Sequence, residues 1–205
     1  MKAISTLIII LASILISATS FAAAPTASEL VDAAAAKMRS AKSLTVAYTA
    51  SSNGGNRFNG TFTMAGNSFK IDTPQAKVWY DGKTQWTWSD DAGEVDITEP
   101  TIEEVAQVNP YAIISSLRSR YKARYLGNAA QRTVVLTPAM PDLPITRAEI
   151  KFDANGYPHR MKLNFPSGQD LIITVSSVKL GTTLPAATFR FKSSDIPGAE
   201  VVDLR

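Results

Sequence analysis

A β-hairpin is predicted by the stretch Val78-Trp79-Tyr80-Asp81-Gly82-Lys83-Thr84-Gln85-Trp86-Thr87-Trp88. Its Asp81-Gly82 pair favours a tight type I′ turn, because both central positions of that turn need a positive φ. The hairpin holds all three tryptophans of the chain, and Trp86 and Trp88 share one strand face because side chains repeat every two residues. These rings could form a packed core or line an apolar cavity on a curved sheet, and the hairpin sequence leaves both interpretations open.

Strand-like alternation continues on both sides of this hairpin. Upstream, residues 44–49 and 57–71 alternate apolar with polar or small side chains. Downstream, further strands are predicted at Tyr121–Leu126, Arg132–Thr137, Arg147–Asp153, Tyr157–Phe165 and Leu171–Val178. About ten strands, with helices confined to the start and the middle, indicate an α+β fold. Because so large a sheet curls, we expect an incomplete, strongly curved antiparallel β half-barrel.

Two helical regions are predicted to cover this sheet. Ser28 can cap an N-terminal helix from Ser28 to Ala41, in which apolar residues recur at helical spacing. In the middle of the chain, Thr101-Ile102-Glu103-Glu104 has the form of a capping box, and Asn109-Pro110 is a second helix start. We therefore expect two short mid-chain helices that end near Ser119.

The N-terminal segment has the three-part layout of a secretory signal peptide. Lys2 supplies a positive charge, Leu7–Ile16 is almost entirely aliphatic, and small residues around Ala22 suit cleavage. We therefore assign residues 1–22 to a signal peptide and residues 23–205 to a single, secreted domain. The chain has no cysteine, so it can form no disulfide and carry no lipidated cysteine, and any lipid must bind non-covalently.

Catalytic, metal-binding and nucleic-acid functions find little support in the sequence. His159 is the only histidine, and without cysteine a zinc site would need several carboxylates around it, a cluster that is not evident. The sequence has neither a Gly-x-Ser-x-Gly elbow nor a Gly-rich phosphate loop. A net charge of +3 is too small to indicate a nucleic-acid partner. We expect a monomer without enzymatic activity, metal or cofactor.

Several segments, in their order and spacing, resemble the periplasmic lipoprotein carrier family LolA. The stretch Val78–Trp88 followed by Glu94-Val95 resembles the central hairpin of that family. The paired strands before the hairpin are matched by Phe58-x-Gly60-x-Phe62 and Phe69-x-Ile71-x-Thr73-Pro74. The characteristic C-terminal segment of the family is matched by Phe189-x-Phe191 and Pro197-Gly198-Ala199-Glu200-Val201-Val202-Asp203.

The resemblance implies a chaperone that binds the acyl chains of lipoproteins in an apolar cavity and ferries them from the inner to the outer membrane. Its transient partners would be an inner-membrane lipoprotein-release complex and an outer-membrane receptor. The candidate cavity residues are Phe62, Met64, Phe69, Ile71, Trp79, Tyr80, Trp86, Trp88, Ile150, Phe152, Met161, Leu163 and Phe165. Which strand face points inward is not fixed by the sequence, because a register shift of one residue inverts it.

Two further groups of residues are assigned by the same resemblance. The candidate lid residues are Ile102, Val105, Ile114 and Leu117. The candidate docking residues are Arg118, Arg120, Lys122 and Arg124, whose spacing of two would form one basic edge along an extended strand. A solvated strand face would show the same spacing.

One position departs from the resemblance. In the best-known carriers an arginine on the strand before the hairpin helps to latch the lid, whereas here the segment is Lys70-Ile71-Asp72-Thr73-Pro74. Lys70 can supply a charge but not a planar, bidentate donor. Two alternatives therefore stay open: a carrier or sensor of another amphiphile such as a glycolipid, and a non-transporting cell-envelope binding module on the same scaffold.

Overall fold

The computed structural model describes residues 24–52, 55, 57–101, 104–105 and 120–205. In these residues, helix α1 (Ala27–Arg39) precedes a twelve-stranded sheet. The strands are β1 (Ser43–Ser52), β2 (Phe58–Ala65), β3 (Ser68–Asp72), β4 (Ala76–Tyr80), β5 (Gln85–Ser89), β6 (Glu94–Thr98), β7 (Tyr121–Tyr125), β8 (Thr133–Pro138), β9 (Arg147–Phe152), β10 (Pro158–Asn164), β11 (Asp170–Gly181) and β12 (Glu200–Asp203). Over the same residues, no helix has the length and apolar character needed to cross a bilayer.

The strand order is β12-β6-β5-β4-β3-β2-β1-β11-β10-β9-β8-β7. Neighbours are antiparallel except for β12, which runs parallel to β6. The two edge strands, β12 and β7, do not pair with each other in the described part of the chain, so the sheet stays open. The predicted half-barrel is confirmed, with β12 as a strand that side-chain periodicity did not indicate.

The curvature of the sheet follows from its core. One apolar cluster contains buried residues of α1 together with Phe69 of β3 and Val134 of β8, which lie toward opposite ends of the sheet. A flat sheet of this width would span about 50 Å at about 4.8 Å per strand, whereas a helix of 13 residues is only about 20 Å long. The sheet therefore bends, so that both halves contribute to one core.

Helix α1 begins one residue earlier than predicted, and its cap is Thr26 instead of Ser28. The Glu29 backbone N–H donates to Thr26 Oγ1 at 3.2 Å, and the Thr26 N–H donates to Glu29 Oε2 at 2.7 Å. The Thr26 N–H and the Thr26 hydroxyl both donate to the Glu29 carboxylate, and these two bonds lower its pKa below the ordinary value. Thr26 caps the helix in place of Ser28 because a capping box needs Glu or Gln three positions after the cap. Glu29 occupies that position after Thr26, whereas Val31 occupies it after Ser28.

The β4–β5 hairpin forms, but the predicted type I′ turn around Asp81-Gly82 is wrong. The Asp81 N–H donates to the Thr84 carbonyl at 3.1 Å, so Gly82 and Lys83 are the central turn residues. Gly82 has a φ of 103° and Lys83 has no positive φ, whereas type I′ requires positive values at both positions. Asp81 instead holds the corner, because its Oδ1 accepts from the backbone N–H groups of Lys83 and Thr84 at 3.1 and 3.0 Å.

Asp81 also ties the hairpin to the C-terminal segment through Arg190, whose Nε lies 2.9 Å from Asp81 Oδ2. Burial alone would raise the pKa of Asp81, but the hydrogen bonds from Thr84, Lys83 and Arg190 outweigh it and hold the pKa below its ordinary value. The carboxylate therefore stabilises the folded state above about pH 4, and this stabilisation is lost as the pH falls through the folded pKa.

The first prediction concerns Asp81→Asn, which should lower the free energy of unfolding near neutral pH by about 1–2 kcal/mol, because hydrogen bonds to a charged group are stronger than those to a neutral one. Urea unfolding of both proteins between neutral pH and about pH 2.5 checks it. The difference should shrink as the pH falls through the folded pKa of Asp81, because the wild-type carboxyl then becomes neutral as well. A difference that stays constant over this range would contradict a role for the Asp81 charge.

Candidate functional site

The strand register divides the candidate cavity residues between the two faces of the sheet. We call the face on which α1 packs the helix face and the opposite one the outer face. Ile71 pairs with Phe62 and Val78, whereas the adjacent Lys70 pairs with Trp79, so Trp79 lies on the face opposite to Phe62. The helix-face core receives Phe62, Met64, Phe69, Ile71, Tyr80, Ile150, Phe152, Met161, Leu163 and Phe165.

All three tryptophans lie on the outer face, which removes them from the surface that carries the other candidates. Trp86 pairs with Trp79, and Trp88 follows two residues later on the same strand. Trp79 is only 1% exposed, and its ring centroid lies 5.3 Å from that of Phe191 in the C-terminal segment. Its role is packing between the sheet and this segment, in which Phe189 is also buried.

Lys70 lies on the outer face as well. Its Nζ is 5.2 Å from the centroid of Trp79 and 3.8 Å from Asp72 Oδ2. Lys70 is therefore held on the face opposite to Phe62 and Phe69 by Trp79 and Asp72.

Two tightly packed regions lie on the helix face. In the first, Phe69 is fully buried, and its ring centroid lies 6.1 Å from that of Phe62 and 5.2 Å from that of Tyr80. In the second, strands β8 to β10 contribute Val134, Leu136, Ala148, Ile150, Met161 and Leu163. These regions supply most of the apolar burial that stabilises the fold.

Between these two regions runs a partly exposed apolar band on the central strands. We call it the apolar strip and define it as Val46, Tyr48, Leu171, Ile173 and Val178, which pack against the core without being fully buried. Val46 pairs with Val178, and Ala50 with Ile173, so β1 and β11 present them on one face. The strip is a part of the helix face where apolar surface remains accessible on two adjacent central strands.

Helix α1 lies toward one side of this strip. Lys37 Nζ donates to the Asn155 carbonyl at 2.7 Å and sits 4.3 Å from the centroid of the Tyr157 ring. Just before the helix, the Pro25 carbonyl accepts from the Tyr125 hydroxyl at 2.6 Å. These contacts fix α1 over β7 and the β9–β10 turn, which leaves the central strands for the apolar strip.

Tyr48 crosses its neighbouring strand through a space that only glycine leaves open. A Cβ added at Gly60 would lie 2.5 Å from Tyr48 Cζ, well inside van der Waals contact. Burial raises the pKa of Tyr48, and the Asp72 carboxylate raises it further. The close approach explains the glycine in the Phe58-x-Gly60-x-Phe62 pattern and fixes the ring within the strip.

The second prediction is that Gly60→Ala lowers the free energy of unfolding by about 1–3 kcal/mol, because the added methyl group displaces the Tyr48 ring. In a Tyr48→Ala background the same change should cost far less, since the clash is gone and alanine restricts the unfolded chain more than glycine does. A double-mutant cycle by urea unfolding measures the difference. Equal costs in both backgrounds would contradict the proposed contact.

Of the candidate lid residues, Ile102, Ile114 and Leu117 lie outside the described residues. Val105 is described and packs, partly buried, against the helix-face core. The predicted capping box at Thr101 is confirmed: the Thr101 N–H donates to Glu104 Oε2 at 2.8 Å, and the Glu104 N–H donates to Thr101 Oγ1 at 3.3 Å. The Thr101 N–H and the Thr101 hydroxyl both donate to the Glu104 carboxylate, and these two bonds lower its pKa.

Among the candidate docking residues, Arg118 lies outside the described residues and the other three are exposed. Lys122 and Arg124 occupy the outer face of the edge strand β7, because the alternate residues Ala123 and Tyr125 pack on the helix-face core. Arg120 directly precedes this strand. Their side chains are therefore accessible independently of the helix face.

The structure gives His159 an exposed position on β10. In the described ranges, no group of three or more histidine, cysteine, aspartate or glutamate residues is arranged to hold a metal ion.

The residues of the apolar strip were not among the candidate cavity residues, although strands were predicted at residues 44–49 and 171–178.

Comparison with known proteins agrees with this geometry. Residues 17–138 match the family described as outer membrane lipoprotein carrier protein LolA. The outer-membrane lipoprotein carrier protein of Haemophilus influenzae (strain PittEE) is 26% identical over 142 residues, covering 68% of this chain and 67% of that protein. An uncharacterized conserved protein from Thermus thermophilus has a TM-score of 0.52 at 10% identity, covering 85% of this chain and 97% of the other. A LolA superfamily protein from Nitrosomonas europaea has a TM-score of 0.41 at 14% identity, covering 82% of this chain and 99% of the other.

The open, curved sheet with an N-terminal helix on its apolar face defines a half-barrel protein, and the fold of the Thermus protein is similar. The family match spans more than half of the chain. The chain belongs to the LolA family of outer membrane lipoprotein carrier proteins. Its role at the level of the family is that of a lipoprotein carrier.

Proposed function

We propose that this protein carries acylated lipoproteins through the periplasm, from the inner to the outer membrane, with their acyl chains bound on the helix face. The observation that supports this most directly is the apolar strip, Val46, Tyr48, Leu171, Ile173 and Val178. It combines accessible apolar surface with a position beside a deep core, so that hydrocarbon could extend the core without replacing it. The name of the Haemophilus relative supports the choice of cargo.

The energetics of the cargo explain why such a strip suits a carrier. Burying an acyl chain contributes about 0.8 kcal/mol per CH₂, so a 16-carbon chain stabilises membrane attachment by roughly 12 kcal/mol. A carrier must match part of this free energy and still release the cargo. An aliphatic surface meets both needs, because it buries hydrocarbon without the oriented polar contacts that fix a ligand in one pose.

The proposal extends to partners and compartment. Residues 1–22 would serve as the signal peptide that directs the chain to the periplasm. An inner-membrane release complex and an outer-membrane receptor would dock in turn on Arg120, Lys122 and Arg124. These side chains lie on or beside an edge strand and away from the helix face, so a partner could bind there while lipid remains on the helix face.

Lipid extracted from the protein purified from its native envelope tests this function. Mass spectrometry should recover triacylated peptides, and a polar substitution in the strip should reduce their yield. Recovery of glycolipid alone would favour the carrier of another amphiphile. Absence of any bound lipid, together with no fluorescence rise of an added apolar dye, would favour a non-transporting binding module and contradict the proposal.

A further inference from the structure

A second concave surface lies mainly on the outer face and is also bordered by Tyr48 of the apolar strip. It is an open groove of about 730 Å³. One cross-strand row forms its floor, in which Trp88 pairs with Lys77, Lys77 with Asp72, and Asp72 with Thr61. Because directly opposed residues in antiparallel strands share a face, these four side chains project to the same side. All four line the groove.

The neighbouring row explains why this groove stays open. Trp79 and Trp86 pair in that row, and Trp79 is covered by Phe191 and almost fully buried. Trp88 lies on the next row and remains partly exposed. Trp86, in the same row as Trp79, is partly exposed like Trp88, but only Trp88 borders the groove.

The polar groups of the groove form a mixed set of donors and acceptors. Lys77 Nζ donates to Asp72 Oδ1 at 2.7 Å, while Asp72 Oδ2 lies 3.8 Å from Lys70 Nζ. The Thr49 hydroxyl donates to Asn59 Oδ1 at 3.0 Å, an interaction that uses the amide oxygen and not the amide nitrogen. The groove thus has an indole ring at one end of the row, and a carboxylate oxygen, the Thr61 hydroxyl and an amide donor further along it.

This chemistry argues against several classes of ligand. Hydrocarbon would have to desolvate the Asp72–Lys77 ion pair, which is costly. A phosphate would meet the Asp72 carboxylate at the centre of the row. A metal ion would find one carboxylate already held by lysine, and the described ranges contain no cluster of three candidate ligands.

A neutral polyhydroxylated ring fits the remaining combination. Its hydroxyl groups both donate and accept hydrogen bonds, so they suit a carboxylate, an amide and a hydroxyl together. Its C–H face can pack on an indole, and the groove volume lies within the range of small-molecule sites. We propose that this outer-face groove binds a short glycan, with one sugar ring stacked on Trp88 and hydroxyl groups bonded to Asp72 and Asn59.

Indole N–H resonances in a ¹H–¹⁵N spectrum of the full chain test the proposal, because the three tryptophans report separately. Maltotriose and an N-acetylglucosamine trisaccharide serve as probes. At least one of them should shift the Trp88 signal in a saturable manner, with a dissociation constant of about 1 mM or lower, and leave the Trp79 signal in place. Asp72→Asn, which keeps the shape and removes the charge, should weaken binding about tenfold.

Trp88→Ala should abolish saccharide binding, whereas Trp86→Ala is the matched control, since it lies on the same strand and face but outside the groove. Uptake of an acylated peptide should be unchanged in Trp88→Ala, so the groove and the helix face can be judged separately. The proposal is overturned if neither trisaccharide shifts Trp88 at about 20 mM. It is equally overturned if binding survives Trp88→Ala or if an extended peptide binds in place of both sugars.

Discussion

Ile173→Asn should reduce the affinity of the protein for an acylated peptide by about tenfold or more, because an amide buried without partners against hydrocarbon costs about 1–3 kcal/mol. Ile173 belongs to the apolar strip and packs, partly buried, at the margin of the helix-face core. The measurement is a titration of delipidated protein with a fluorescent diacylated peptide. Urea unfolding of the same variant reports how much of the effect arises from stability.

Ile172 provides the matched control for this prediction. It is the adjacent residue of β11, has the same side chain and is also partly buried, but it pairs with Lys162 and Ser51 on the outer face. Ile172→Asn should leave acyl-peptide affinity within about twofold of the wild type, since it changes no surface that contacts the lipid. Similar losses of affinity in both variants would show that the strip has no special role.

Phe69→Ala should lower the free energy of unfolding by about 3–5 kcal/mol, the range found when a large buried aromatic side chain is removed. Phe69 is 0% exposed and packs between Phe62 and Tyr80. Since a protein of this kind has a total stability of about 5–15 kcal/mol, the variant should unfold at a much lower urea concentration.

Phe58→Ala is the control for that loss. Phe58 begins β2 on the same face but remains partly exposed, so its replacement should cost about 1–2 kcal/mol, in proportion to the smaller buried area. If the two phenylalanines proved equally costly, the packed region around Phe69 would not be the stabilising centre described here.

Local structure was the part of the fold that could be read from the sequence. The predicted strand Arg147–Asp153 differs from β9, Arg147–Phe152, by one residue, because period-two alternation ends at turn residues. The predicted α1 was displaced because Ser28 is a competent cap, and only the Thr26–Glu29 hydrogen bonds decide between the two candidates. Strand β12 was missed because its four residues are too few for a periodic signal and its partner β6 is distant in the chain.

The candidate site could be predicted only in part, and the limit was the register. Tyr80 and Trp79 are adjacent, so one lies on each face, and no property of either residue states which is the helix face. The structure resolves this through the pairing of Phe69 with Tyr80 and of Lys70 with Trp79. Aromatic content then misleads, because all three tryptophans lie on the outer face, where Trp79 packs against Phe191 and Trp88 borders the groove.

The two faces of the sheet have separate chemistry. The helix face carries the apolar strip beside a continuous core, whereas the outer face of β1 to β5 carries hydroxyl groups, an ion pair and Trp88. Both surfaces come from the same strands, because successive side chains of a strand point to opposite faces of the sheet. Except at Tyr48, which borders both the strip and the groove, variants on one face can therefore be designed without altering the other.

Photolabelling tests most directly whether acyl chains occupy the helix face. A lipopeptide with a diazirine in its acyl chain would be bound to the protein, irradiated, and the labelled residues identified by mass spectrometry. Adducts are expected on the alternate residues of the strip, Val46, Tyr48, Leu171 and Ile173. Adducts confined to Ile172, Trp86 or other outer-face residues would contradict the account.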